Sequence, residues 1–541
     1  SGVWVHAPRY VHAPDLGSLV RQSEMLYYAE TPDGVVTVSR VGRWRTLAVD
    51  GRSEASSRTD GPTHVLLGTL PVVLHRGPES ALVIGLGDGV ALGSVERHPV
   101  RRIVCVEGDP AVVGASLFFA EENGRCLADR RLELVVGDAR RYLRESETRF
   151  DCICSKPPPP WIAGSGRLYS REFFLLCRDR LEPGGLMAQW VPIHTLSERD
   201  LAVLVRTFLS VFANVSVWLP RESDVILVGS REPVRVDYLQ VEARLAPAPV
   251  RHALAGIDVH HPTDFLTYFV TAGQDTLSFV PRAGPIQTDD HTLLEFSAPR
   301  GLYDFSLMSN LTALARARTD PRHTLVEVAP EREAYVEERM APRLQARKLA
   351  LGARSTEEQV GPALALEAAR RAWQSNPQDP FAIRILSRLL WTRGDALLAA
   401  GRPDDAEAHY RQCLEVKTES AMAHQGLAWV HLARDDLEAA VEHARAAIEL
   451  EPNLARSYYV LGSALGTQGD HEAAIRALER SVELEPHVPD ARSVLGMAYA
   501  SVGRLEDAVA EWERVLEVDP QNALAREGLA RVRSQPPSPG G

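Results

Sequence analysis

Between Ala81 and Gly229 the chain alternates short apolar runs with stretches of helix length. The runs Ala81–Gly85, Arg102–Glu107, Leu132–Val136, Asp151–Ser155, Leu186–Trp190, Val215–Leu219 and Val225–Gly229 read as seven strands, the last two as a hairpin. Strands alternating with helices at this spacing predict a doubly wound sheet with helices on both faces. Upstream the pattern changes. LYYAETPDGVVTVSRVGRWRTLAVDG, from Leu26, alternates β-formers around two turn signals, Pro32-Asp33-Gly34 and Gly42-Arg43. That predicts a small antiparallel sheet beside the main one. His64–Leu74 reads as a helix broken at Pro71, and residues 1–25 as a loose lead-in.

The C-terminal third is periodic. Pro452, Pro486 and Pro520 stand 34 residues apart, as do Gly401, Asp435, Gly469 and Gly503, and Ala406, Ala440, Ala474 and Ala508. This period, with small residues at helix crossings (Ala428, Gly462, Gly496), resembles the tetratricopeptide repeat. Three full repeats (421–454, 455–488, 489–522) follow a divergent one at 387–420, with a degenerate helical pair near 358–377 and a capping helix at 523–533. Tyr458, Tyr459, Tyr499 and Trp512 are expected at core or crossing positions.

The first strand runs into a loop with Gly85, Gly87 and Gly89, and then a helix. Such a loop lets backbone N–H groups approach a ligand closely. Glu107 ends the second strand and Asp138-Ala139 follows the third. Asp88, Glu107 and Asp138 therefore belong to one edge of the parallel sheet, where open α/β sheets bind ligands. The acids favour a positively charged nucleoside over a pyrophosphate, and the absence of Lys-Ser/Thr after the glycines argues against a P-loop. A sulfonium nucleoside fits.

Composition narrows the partners. The net charge is −12, and residues 421–522 hold 8 Arg against 18 Asp and Glu, a local charge of −10. Nucleic acid and anionic membranes are disfavoured. The six cysteines, among them Cys152 and Cys154 in one strand, lack metal-ligand spacing and read as buried, reduced thiols. No apolar run reaches ~18 residues. A cytoplasmic location is the expectation. Beginning at Ser1-Gly2 without Met, the chain is expected to lack upstream sequence, and any membrane contact would come from there.

From YYAE through ALVIGLGDG, VCVEGDPAVV, VVGDARRYL, FDCICS, LYSREFF and LEPGGLMAQW, the chain is similar to the spermidine synthase (polyamine aminopropyltransferase) family, over roughly residues 26–300. IQTDDHTLLEFSAPR, Ile286–Arg300, resembles a late motif of its long bacterial variety. The resemblance implies a class I methyltransferase-like (Rossmann-like) seven-stranded sheet with a small N-terminal β-sheet, followed here by an all-α solenoid. It also implies decarboxylated S-adenosylmethionine as co-substrate and no metal. On the matching positions it assigns Asp88 to the aminopropyl or methionine end of the nucleoside, Glu107 to the ribose, and Asp138 with Ala139 to the adenine. His64 and Gln189 match substrate-side residues, and Trp161 is expected to close over the pocket.

The chain departs from the family after the fourth strand. Where aminopropyltransferases have Asp-Ser-x-Asp-Pro, it has Lys156-Pro157-Pro158-Pro159-Pro160. Lys156 replaces the catalytic acid and Pro159 the acid that grips the amine. A lysine there repels both cationic substrates. Two readings of Lys156 stay open, a solvent-facing residue on a Pro-stiffened loop and a functional group. If an aminopropyl group moves, the acids left to rescue the chemistry are Asp289 and Asp290, one of which is expected beside Lys156. A metal at Thr288-Asp289-Asp290-His291 is disfavoured, since adjacent residues rarely converge on one ion.

The domain reading is therefore 1–75 lead-in and small sheet, 76–300 nucleoside-binding domain, 301–357 helical connector, 358–535 solenoid and 536–541 disordered tail. The leading function is transfer of an aminopropyl or other alkyl group from a sulfonium nucleoside to a small-molecule amine, with a protein or peptide partner on the solenoid. The alternatives are a methyltransferase using S-adenosylmethionine, whose carboxylate Lys156 could pair with, and a non-catalytic scaffold.

Overall fold

The computed structural model describes residues 23–32, 34–273, 279–281, 283–301 and 307–534. The lead-in before residue 23, Asp33 and the tail from 536 lie outside the described residues. The chain forms two compact units, one built on Met25–Arg40 and Trp44–Ile385, the other on Leu386–Gly541.

In the first unit, β1 (Glu24–Thr31), β2 (Gly34–Val41), β3 (Trp44–Val49) and β4 (Arg52–Ser56) make the small sheet in sequential order. Its alternation buries Val36, Val38, Leu47 and Ala55 against Ala111, Val112, Ala115 and Phe119 of the main domain. The hairpin tip between β3 and β4 is thereby fixed over the main sheet.

The main sheet contains the seven expected strands: β5 (Ser80–Ile84), β6 (Arg102–Glu107), β7 (Leu132–Val136), β8 (Phe150–Ser155), β9 (Leu181–Val191), β10 (Asn214–Arg221) and β11 (Asp224–Ser230). After the short strand β12 (Val236–Asp237), β13 (Phe269–Ala272) adds an eighth, antiparallel to β10. The order is β13-β10-β11-β9-β8-β5-β6-β7, with β9-β8-β5-β6-β7 parallel, β11 antiparallel to β9 and β10 antiparallel to β11. Cys105, Cys152 and Cys154 are buried in the central strands β6 and β8, where desolvation pushes their thiols up, Cys154 to about 12. They behave as small apolar residues.

Helix α1 (Gly61–Leu74) runs unbroken through Pro71, contrary to expectation. Every residue from Thr63 to Leu74 is buried, so packing offsets the hydrogen bond that Pro71 cannot donate. Gly68 allows its contact with α2 (Val90–Glu96), because a Cβ there would strike the Ala91 carbonyl. The stretch after β11, which completes the expected 76–300 domain and continues as the expected helical connector, is largely helical among the described residues. Its longest helix, Pro330–Gln359, packs against Pro362–Ser375, and both lie in the first unit.

The second unit stacks helix pairs from Pro403–Val416 to Ala523–Ser534. Gly401, Asp435, Gly469 and Gly503, the 34-spaced set, all adopt positive φ, of 72°, 62°, 90° and 81°. The period thus records the left-handed turn between paired helices. Trp512 lies in the spaces left by Gly496 and Gly528, and Tyr459 stacks on Trp429, as expected for core and crossing positions. Among the described residues no helix is long and apolar enough to cross a membrane.

Three histidines meet in the first full repeat. The Nδ1 atoms of His424 and His443 are 3.0 Å apart, and the His431 ring stacks on His443 while its Nδ1 contacts Asp436 at 2.9 Å. Burial lowers His424; burial and then the other two histidines lower His443. The unfolded chain therefore binds more protons below its ordinary histidine value of about 6.5. Stability of this unit should be level above that pH and fall as the pH drops from there toward the folded values. Urea midpoints at pH 7.5 and 5.5 would check it. His443→Gln should flatten the difference, and an equal drop in the variant would remove the cluster as its cause.

Candidate active site

The C-terminal ends of the parallel strands open into a cavity of about 630 Å³. Its floor is set by sheet order. Lys156 follows β8, Gly85 and Gly87 follow β5, Glu107 ends β6, and Asp138-Ala139 follow β7. All line the same cavity, so residues from four separate strand ends form one continuous wall.

The glycine loop is needed at close quarters. Gly85 (φ 86°) passes so near the next strand that a Cβ would lie 2.5 Å from the Lys156 carbonyl oxygen. Gly87 (φ 54°) lies on the cavity, and a Cβ placed there would meet no atom within 4 Å, so the space above it is open to a ligand. Gly89 faces away, toward Cys126 and Asn123, and serves the start of α2 instead.

The acids divide into two groups. Glu107 accepts from the N–H groups of Leu86 (2.7 Å) and Asp109 (3.0 Å), which aim its carboxylate along the loop. Burial raises its carboxyl against the pull of those N–H groups. Asp138 caps helix α3 (Ala139–Glu145) through the Arg141 N–H at 2.7 Å. Both retain lone pairs for ligand hydroxyls or amines. Asp88 does not join them. Its carboxylate is buried behind the loop, 2.8 Å from His64 Nδ1 and 3.0 Å from the Val90 N–H. Burial alone would raise Asp88, but His64, that N–H and Lys156 together hold it below the ordinary carboxylate value. Asp88 and His64 thus satisfy each other and neither lines the cavity, because α1 presses the imidazole against the loop.

Three other expected contacts are also displaced from the wall. Gln189 is fully buried between strands, its Nε2 donating to the Trp190 carbonyl. Trp161 is half-buried off the cavity, and Ile162 and Ala163 of the same loop take the lining positions. Of the late acids, Asp290 is exposed and off the wall. Asp289 lines the cavity but does not pair with Lys156. It forms an ion pair with Arg140 and accepts from Ser170 Oγ at 2.7 Å, and these hold its carboxyl low in spite of partial burial. A guanidinium at the β7 end of the wall outcompetes an ammonium at the β8 end.

Lys156 is not a solvent residue. Its Nζ donates to the Glu54 carbonyl at 3.1 Å and sits 5.1 Å from the centre of the Trp190 ring. Arg52, paired with the Glu54 carboxylate, lines the cavity beside it. Sequence reasoning missed Arg52 and Glu54, which come from the small sheet and carry no motif. It also missed Arg140, although that residue directly follows the Asp138-Ala139 it had singled out. Among the described residues, no group of three His, Cys, Asp or Glu side chains is placed to hold a metal ion.

The family described as spermine/spermidine synthase domain matches residues 62–219, which contain the strand ends from β5 to β9, and the tetratricopeptide repeat family matches 391–455, 459–523 and 494–533. The chain carries a spermine/spermidine synthase domain followed by tetratricopeptide repeats. A polyamine aminopropyltransferase of Aeropyrum pernix is 31% identical over 208 residues, 37% of this chain and 66% of the relative, so the match spans just under two thirds of that protein. One from Nitrosomonas europaea is 28% identical over 246 residues, 43% of this chain and 74% of its own. Among solved structures, spermidine synthase from Thermotoga maritima is similar with a TM-score of 0.34 and 21% identity, over 38% of this chain and 73% of its own. A spermidine synthase in complex with the transition-state analogue AdoDATO gives a TM-score of 0.35 and 18% identity, over 51% and 85%. On the cavity wall of this chain Glu107 ends β6 and Asp138 follows β7, whereas the end of β8 carries a cation, Lys156.

Proposed function

We propose that the synthase domain binds an adenosyl sulfonium nucleoside in the strand-end cavity and transfers an alkyl group from it to a nucleophile. The observation that carries this reading is the joint presence of Gly85, Gly87, Glu107 and Asp138 on one cavity wall, in the order in which the sheet presents them. Glu107 would take the ribose hydroxyls and Asp138 the adenine amine, leaving the sulfonium over the glycine loop. The aminopropyl group named for the relatives is the first candidate for transfer. Methyl transfer from S-adenosylmethionine is the second, favoured by Lys156 at the end of β8. The repeats would dock a protein or peptide segment, of basic character given the −10 charge of residues 421–522.

Methylthioadenosine, which lacks the transferred chain, tests the nucleoside part by calorimetry. Glu107→Gln and Asp138→Asn should each weaken it by about 1–3 kcal/mol, the loss of a hydrogen bond to a charged acceptor. Asparagine keeps the cap on α3. Binding unchanged in both variants would remove the nucleoside reading.

A further inference from the structure

The sheet order fixes which part of a bound nucleoside reaches which residue. The wall runs β8-β5-β6-β7, that is Lys156, the glycines, Glu107, Asp138. With adenine at Asp138 and ribose at Glu107, the 5′ substituent must lie along Gly85 and Gly87 and end at Lys156. What Lys156 and its neighbours can hold is therefore a property of the donor's amino-acid tail.

At that end the cavity carries two cations and one carboxylate. Lys156 is fixed by the Glu54 carbonyl and the Trp190 ring, which leaves two of its three N–H donors free. Arg52 is held by the Glu54 carboxylate, and its Nε has no hydrogen-bond partner. The remaining carboxylates of the wall are engaged elsewhere. Asp289 is bound to Arg140, Asp109 accepts from the Ala111 N–H and Thr31 Oγ1, and Asp50 accepts from the Val35 N–H. Asp88 lies behind the loop on His64. A tail ending in an ammonium alone would meet Lys156 and find only Glu54, already paired with Arg52, to receive it. A tail bearing both an ammonium and a carboxylate matches this end, the carboxylate on Lys156 and Arg52 and the ammonium on Glu54.

We infer that Arg52 and Lys156 form a carboxylate subsite, so that the cavity selects a sulfonium donor retaining its α-carboxylate over the decarboxylated one. This rests on the nucleoside reading above. It makes Lys156 a specificity-determining residue rather than a relic of a lost acid, and it ranks the methyl and 3-amino-3-carboxypropyl groups of the carboxylated donor above the aminopropyl group, which only the decarboxylated donor carries.

The test is calorimetry on the full chain with three probes: S-adenosylmethionine, its decarboxylated form and methylthioadenosine. The first two differ only in the carboxylate, and the third lacks the whole tail. The carboxylated donor should bind about ten-fold tighter or better, the value of one charge-assisted hydrogen bond. Lys156→Met and Arg52→Met should each shrink that ratio while leaving methylthioadenosine unchanged, which also shows that the variants are folded. Equal or tighter binding of the decarboxylated donor by the unaltered chain overturns the inference, as does a ratio that survives both substitutions. Failure of all three probes to bind would instead overturn the nucleoside reading, and the subsite with it.

Discussion

Replacing Asp379 by alanine is expected to destabilise the first unit by about 3–5 kcal/mol, the cost of leaving a buried charge without its partner. Arg347 is completely buried, its Nε 2.9 Å from Asp379 Oδ2, with the guanidinium 4.0 Å from the Phe381 ring centre and 4.7 Å from that of Tyr268. Neither ring can replace the carboxylate. Asp379 also accepts from the Ala382 N–H at 2.9 Å, so alanine removes a helix cap as well. Asp379→Asn separates the two effects, because it keeps the cap and loses the charge. The Asp404–Arg434 pair in the solenoid is the control: Asp404 is 91% exposed, and its removal should cost well under ~1 kcal/mol. Denaturant unfolding of the variants would decide it. A loss below about 1 kcal/mol for Asp379→Ala would mean that Arg347 finds water or another acceptor.

That pair spans 32 positions, and nothing in its sequence surroundings marks it. What was legible had a local signature. Short apolar runs marked seven strands, those ending in glycine or an acid marked the edge that carries the cavity, and the 34-residue period marked the solenoid. The eighth strand, Phe269–Ala272, was hidden because its apolar run continues that of the preceding helix. Trp218, packed on Phe265 and Phe269, settles it as a strand only in three dimensions. Pro71 was read as a break because the sequence shows its missing donor and not the burial that compensates for it. The site failed in the same way. The place of Glu107 and Asp138 on the cavity was readable because one ends β6 and the other follows β7, whereas the partnership of Asp289 with Arg140, 149 residues apart, is set by tertiary packing. So is the arrival of Arg52 and Glu54 from another sheet. Motif position singled out Asp88, but which way its carboxylate turns depends on His64 one helix away.

Lys156→Asp is expected to invert the donor preference of the synthase domain. The substitution changes the charge at the end of β8 by two units while leaving Glu107 and Asp138, and thus the proposed nucleoside contacts, untouched. At ~5 Å and an effective dielectric constant of ~20, one unit charge is worth about 3 kcal/mol, so the swap should move the ratio of the two donors by on the order of a hundred-fold or more toward the decarboxylated form. Arg52 would oppose part of this, and Arg52→Met in the same background should enlarge it. The new carboxylate would also put an acid at the end of β8, where the wall now offers Lys156 and the Arg52-paired Glu54, to attract an amine acceptor and take its proton. Turnover of the decarboxylated donor with putrescine should then appear at high amine concentration. It should stay far from saturation, because the segment after β8 brings no second acid to the wall, Pro159 being buried and off it, and leaves the acceptor without a second anchor. Competition calorimetry separates the two parts of the expectation. A variant that still prefers the carboxylated donor would show that Lys156 does not read the tail. One that inverts its preference without turnover would show that charge alone was not the barrier, and that the Pro157–Pro160 segment holds the acceptor out of line with the sulfonium.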